Sequence, residues 1–204
     1  LLDTLGGLNL RAVELSEGDV RGGDIRFRVF IDDSGLNHDS AIFVSAPGLN
    51  FFNQNDCKIF DRLAMLKKDL GDIDYYSVQF SGANWHPACF NLPEEQRKLV
   101  ARKKVLSKLR NVVTGIKLLA PRFFVPAAGP AFFPFLDPAL SGGHGTIFVH
   151  QDELDACLVQ NGIRTILYPR PGQRVAMETS RTPVPGPTPD DIAGYRAAHL
   201  DVWQ

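Results

Sequence analysis

The chain has 204 residues, 44% of them apolar and 22% charged, with a formal net charge of −1. That is long enough for one domain with a real core, and the near-neutral charge excludes the electrostatic footprint of a nucleic-acid or anionic-membrane binder. No apolar run approaches the roughly 18 residues of a membrane-spanning helix.

Three cysteines, Cys57, Cys89 and Cys157, lack a Cys-x-x-Cys spacing and cannot all pair, which fits a reducing, cytoplasmic setting. No signal peptide is visible. The chain starts at Leu1 rather than Met, so a processed or truncated product, or a start further upstream, is expected.

Residues 1–15 carry no clear period. Residues 25–30 read Ile-Arg-Phe-Arg-Val-Phe, a strict alternation that predicts a half-buried strand. Asp32-Asp33-Ser34-Gly35 reads as a turn. Two apolar runs, 41–44 and 49–52, flank Pro47-Gly48 and predict a hairpin. A helix is expected over 61–70, with Leu63, Leu66 and Leu70 on one face, Lys67 and Lys68 on the other, and Gly71 as its stop. Residues 75–80 read as a short buried strand that runs into the loop Ser81-Gly82-Ala83-Asn84-Trp85-His86-Pro87.

The longest element is helical. Pro93 stands at its first turn and Glu94 and Glu95 at its positive dipole end. Leu99, Leu106, Leu109, Val113 and Ile116 form its expected apolar stripe, with Arg102, Lys103, Lys108 and Lys117 off it as a solvated face and a break near Asn111. A strand is expected at 123–125, then a Pro/Gly-rich loop over 131–146 of the length that is usually functional or disordered. A helix over 151–160 stops at Asn161-Gly162, and 163–168 reads as another strand. The order predicts an α/β layered domain, a mixed sheet covered by helices, over residues 1–178. Residues 179–204 read as a proline-rich tail, with four prolines between 182 and 189.

His38 and Asp56 are the first candidate site. They lie at the ends of the expected paired strands, in Asn37-His38-Asp39-Ser40 and Asn53-Gln54-Asn55-Asp56-Cys57, where two ligands can face one point. Two are too few for a zinc or iron ion, which usually takes three or four protein groups, and no His-x-His-x-Asp-His cluster occurs. Each residue has a plainer reading: Asp56 as a strand end and helix cap, His38 as a turn residue beside Asp39 and Ser40.

The loop 81–87 is the second candidate. Ser81-Gly82 at a strand's carboxyl end lets backbone approach a ligand, and Trp85 beside His86 offers an apolar plate and a group that titrates near neutral pH. The alternative is a structural loop with Trp85 packed inward. A Ser81–His86 nucleophile–base pair has no Gly-x-Ser-x-Gly elbow behind it. His144, in Gly142-Gly143-His144-Gly145, either reaches a pocket from its loop or is solvated; His150 reads as a helix start and His199 as incidental.

Several of these segments, in this order, resemble one family. Asn-His-Asp-Ser-Ala-Ile, Asn-Gln-Asn-Asp-Cys, residues 79–87 (Gln-Phe-Ser-Gly-Ala-Asn-Trp-His-Pro), residues 124–130 (Phe-Val-Pro-Ala-Ala-Gly-Pro) and Phe135-Leu136-Asp137 resemble the metallo-β-lactamase-fold domains of Rieske-linked sugar-nucleotide hydroxylases, of the CMP-N-acetylneuraminate and UDP-N-acetylmuramate hydroxylase type. The resemblance covers about residues 25–175 and is most specific at the Ser-Gly-Ala-x-Trp-x-Pro loop and the Asn-Asp-Cys step.

It implies an αββα sandwich of two similar halves, incomplete here at its N-terminus. It places His38 and Asp56 as the later metal ligands of a zinc or iron site, while Val125-Pro126-Ala127-Ala128-Gly129 lacks the last histidine of a dinuclear site. Taken with the loop readings above, the expected roles are Asp56 and His86 as catalytic groups, Ser81, Gly82, Trp85 and His144 as binders of a small polar substrate, and a missing front half, second chain or Rieske oxygenase as partner. Two functions follow as expectations: metal-dependent hydrolysis or an oxygenase component, and, alternatively, a non-catalytic ligand-binding or scaffolding domain with a degenerate metal site. The chain carries no Rieske Cys-x-His and Cys-x-x-His pair.

Overall fold

The computed structural model describes residues 15–32, 39–130, 146–169 and 175. Their frame is one six-stranded sheet whose spatial order equals its chain order: β1 (Gly18–Gly22), β2 (Ile25–Ile31), β3 (Ser40–Ala46), β4 (Leu49–Asn55), β5 (Tyr75–Gln79) and β6 (Phe123–Ala127). The first four strands form an antiparallel meander. Then β4, β5 and β6 run parallel, joined by crossovers through α1 (Leu63–Leu70) and α2 (Glu94–Leu119). A third helix, α3 (Gln151–Gln160), leads to Ile166, which bridges Phe124 in parallel. Right-handed crossovers that always step the same way put their helices on one face of the sheet. The core agrees: Leu63 and Leu66 of α1, Leu109, Val112 and Ile116 of α2 and Leu154 and Leu158 of α3 share one cluster with Phe43, Phe52, Tyr76 and Phe124 of the sheet.

The opposite face is also apolar. Phe27 pairs with Val44, Val44 with Phe51, Phe51 with Tyr75 and Tyr75 with Phe123, so these side chains form one row across five strands. Most of them are only half-buried, because the described helices all pack on the other side. A sheet with two apolar faces is a central layer by composition.

The mixed α/β architecture and its main elements agree with the sequence. Four expectations do not. The strand β1 was not foreseen, because Gly-Asp-Val-Arg-Gly lacks apolar alternation and pairs as an edge on β2. Residues 163–168 do not form a strand with a ladder: they make a single bridge, fastened by Phe124 N–H to Thr165 O and Leu167 N–H to Phe124 O, both at about the usual length. The helix α2 runs through Asn111 without a break.

Of the expected stripe of α2, Leu109, Val113 and Ile116 are buried, but Leu99 is 56% and Leu106 45% exposed, and the buried face turns toward Ala101, Val105, Val112 and Leu119. Small residues decide this. Gly115 sits on the buried face because a Cβ there would stand 2.6 Å from the Tyr76 hydroxyl oxygen. That hydroxyl donates to Gln54 Oε1 at 2.5 Å, and Gln54 Nε2 donates to Cys57 O at 2.8 Å. This buried relay ties the end of β4 to the centre of β5. His38, His144 and the tail 179–204 lie outside the described residues.

Candidate functional site: a lysine-lined cleft

In open α/β sheets ligands bind beyond the carboxyl ends of the parallel strands, and the structure has a cleft there. It encloses about 440 Å³ and is lined by Asp39, Asp56, Lys58, Gln79, Gly82, Ala83, Asn84, Lys104, Lys108 and Ile147. A smaller cleft of about 200 Å³ shares Asp56, Lys58, Lys104 and Lys108 with it and extends along Ser107 and Asn111.

Each wall has a local cause. At the end of β4, Asn55 takes a left-handed conformation (φ 53°) and its N–H is bonded by the Asn53 side chain at 3.0 Å, which turns the chain so that Asp56 and Lys58 meet the cleft. The β2–β3 connection starts and ends at one place, since Asp32 N–H donates to Asp39 O at 2.9 Å; Asp39 thereby joins the wall. On α2, Lys104, Ser107, Lys108 and Asn111 stand three and four residues apart, one polar stripe facing the β4 end.

The two cleft lysines of α2 are each anchored by one hydrogen bond. Lys108 Nζ donates to Gln79 Oε1 at 2.7 Å and Lys104 Nζ to His86 O at 3.3 Å. Burial holds the Lys108 ammonium below the ordinary lysine range; Asp56 opposes that shift and Lys58 adds to it. Beneath the cleft Cys57 is fully buried, and burial first, then the charges of Asp32 and Asp39, push its thiol up to about 11. It is an inert structural thiol.

The residues singled out in the sequence separate here. Asp56 and Gly82 line the cleft. Gly82 has a reason other than ligand approach: a Cβ there would stand 2.5 Å from Ile147 Cδ1 and 2.8 Å from Ile147 O, so the missing side chain seats the 147 segment. Ser81 is fully buried, and its Oγ has no hydrogen-bond partner among the described residues. Trp85 packs edge-on against Phe148, with ring centroids 5.6 Å apart. The His86 ring packs against Phe90 at 4.7 Å, while its backbone meets the cleft residues, the carbonyl accepting from Lys104 Nζ and the N–H donating to Asn84 Oδ1 at 3.1 Å.

Lys58, Lys104, Lys108, Gln79 and Asn84 were missed as site residues. The polar stripe of α2 was the available signal, because Lys104, Ser107, Lys108 and Asn111 recur at helical spacing inside an otherwise amphipathic helix.

No protein-family model matches the chain. It is 33% identical over 102 residues to a "Putative Rieske 2Fe-2S iron-sulfur protein" of Mycolicibacterium smegmatis, a match covering 50% of this chain and 19% of that protein. A protein of the same description from Mycobacterium tuberculosis matches at 30% over 95 residues, 47% of this chain and 18% of the relative. The matched stretch thus spans about a fifth of the length of these curated relatives. Among solved structures, a mutant of CmlA beta-hydroxylase aligns with a TM-score of 0.45 and 13% identity over 76% of this chain and 32% of that one, too distant to carry an argument. Over about half of its length, then, this chain is related in sequence to proteins described as Rieske iron–sulfur proteins.

Proposed function

We propose that this chain is one component of a Rieske-linked oxygenase system: a metallo-β-lactamase-like αββα unit that holds a small polar metabolite, with oxygen chemistry on iron held outside these 204 residues. The observation that carries the reading is the relation to Rieske-described proteins in a chain that has no cluster-binding motif of its own. The sandwich part rests on the sheet's second apolar face, the Phe27–Val44–Phe51–Tyr75 row, which suits a packed second layer.

The residues present do not fit a [2Fe–2S] cluster. Cys57 is sealed in the core, Cys89 is exposed in the loop after β5 and Cys157 lies on α3, and none is followed at the required spacing by histidine. Among the described residues no three His, Cys, Asp or Glu side chains converge. A zinc or iron ion on His38 and Asp56 would need further ligands from elsewhere, and Asp56 shares its cleft with three ammonium groups. Metal-dependent hydrolysis is the second reading. It is favoured by Asp56 opening on the same cleft as Asp39, the neighbour of His38. In that reading His86 would act only after its ring left Phe90.

The test is recovery of the chain from its native source under non-denaturing conditions, with iron, zinc and acid-labile sulfide measured on the recovered material. Iron and sulfide that travel with the chain, in a larger polypeptide or a bound partner, support the oxygenase reading. Their absence from every fraction containing the chain would sink it. Zinc or iron lost on His38→Ala and on Asp56→Ala, with sulfide absent, would move the assignment to the hydrolase.

A further inference from the structure

We propose that Lys58, Lys104 and Lys108, gathered at the carboxyl ends of β4 and β5, form an oxyanion site that takes the carboxylate or phosphate of a small metabolite. The inference deepens the ligand-holding role above and rests on it for biological meaning; the binding itself is a property of the described cleft.

Four features argue for it. First is charge: among the described lining residues, three lysines stand with Asp39 and Asp56, and two of those lysines, Lys104 and Lys108, project from one face of α2. Second is donor supply. An ammonium has three N–H donors; Lys104 spends one on His86 O and Lys108 one on Gln79 Oε1, so both keep donors for a ligand.

Third is the setting of Lys108. Its ammonium is half-buried beside Lys58, and the charge of an entering oxyanion offsets both the burial and the like charge. Fourth is size and polarity. About 440 Å³ lies within the range of small-ligand sites, and among the described lining residues Ile147 is the one large apolar side chain, which suits a polar ligand better than an apolar one. Asn84 and the Gly82-Ala83 backbone at the rim suit the hydroxyl or amide groups of a polar metabolite.

The test is isothermal titration of the 204-residue chain with inorganic phosphate and, separately, succinate, at low ionic strength. Lys58→Gln/Lys104→Gln serves as the site variant and Lys117→Gln as the control. Lys58 is exposed and Lys104 half-exposed, so the double variant should keep its unfolding midpoint. Lys117 binds Asn161, away from the cleft.

Saturable binding of one or both anions, weakened about tenfold or more by the double substitution and unchanged in the control, is the expected result. The tighter anion names the source, phosphate ester or carboxylate. Absence of binding by both up to about 10 mM, or equal binding by the double variant, overturns the proposal. Iron and sulfide recovery is read separately, so failure here and failure of the oxygenase reading are distinct outcomes.

Discussion

The two ends of the parallel strands are built differently. At the amino end, Asn50 and Asp74 lock β4 to β5. Asn50 N–H donates to Asp74 Oδ2 at 2.8 Å, Asn50 Nδ2 to Asp72 O at 2.9 Å and Asp74 N–H to Asn50 O at 2.9 Å. Arg122 N–H and Phe123 N–H then close β6 onto Ile73 O and Asp74 O at 2.9 and 2.8 Å. Among the described residues the backbone links at the carboxyl end are longer, with Phe80 N–H to Ala127 O and Gly82 N–H to Ile147 O both at 3.2 Å, and the buried Tyr76–Gln54 side-chain pair ties β5 to the end of β4. Asn55 and Ala128 adopt left-handed conformations there, at φ 53° and 46°. One end fastens the strands closely, and at the other, residues from five segments line one cleft. Left-handed non-glycine backbone is not confined to the cleft, since Ala120 at the amino side of β6 has φ 44°, so the contrast between the ends lies in their backbone hydrogen bonds.

Substitutions should separate these ends, from the largest expected effect to the smallest. Phe52, fully buried with Phe30 and Tyr76 rings each 5.9 Å away, holds the sheet between both ends. Phe52→Ala should cost about 3–5 kcal/mol in urea unfolding; a loss under about 1 kcal/mol would mean that the helix-covered face is not the main core.

Gly82→Ala forces a Cβ to within 2.8 Å of Ile147 O. It should cost about 1–3 kcal/mol and, unlike Phe52→Ala, weaken anion binding in the fraction that remains folded. Equal affinity would detach the Ile147 wall from the cleft. Asp74→Ala removes the acceptor of Asn50 N–H. It should cost about 1–2 kcal/mol with anion affinity unchanged; a coupled loss of affinity would break the division between the ends.

The smallest effect concerns Glu17, whose carboxyl is held below its ordinary value of 4.5 chiefly by the Arg62 guanidinium 2.5 Å away. A depressed carboxyl stabilises the fold above its unfolded value, and that contribution fades as pH falls through the folded one. Glu17→Gln should therefore flatten the acid limb of the melting-temperature profile below about pH 4.5 and leave it unchanged near neutrality apart from the loss of a screened pair worth under about 1 kcal/mol. Equal acid limbs in both proteins would refute the assignment.

The core strands β2 to β6 and all three helices were legible because their signals are local: alternation in residues 25–30, a hairpin turn at Pro47-Gly48, a stop at Gly71. The stripe of α2 was not. Leu99 and Leu106 outrank Ala101 and Gly115 on any apolarity scale, yet the close approach of Tyr76 to Gly115 sets the rotation. That rotation carries Lys104 and Lys108 from an expected solvated face into the cleft. For the site, Asp56 and Gly82 were found from sequence, while Lys58, Gln79 and Asn84 carry no motif; they meet because the carboxyl ends of β4 and β5 lie side by side. Three features were set by sequence alone: a mixed α/β layer, the lack of a Rieske motif and the place of the loop 81–87 after a buried strand. Which side chains face one another was decided only by tertiary packing. A contact between residues 50 positions apart depends on how helix and sheet fit, and local periodicity does not encode that fit.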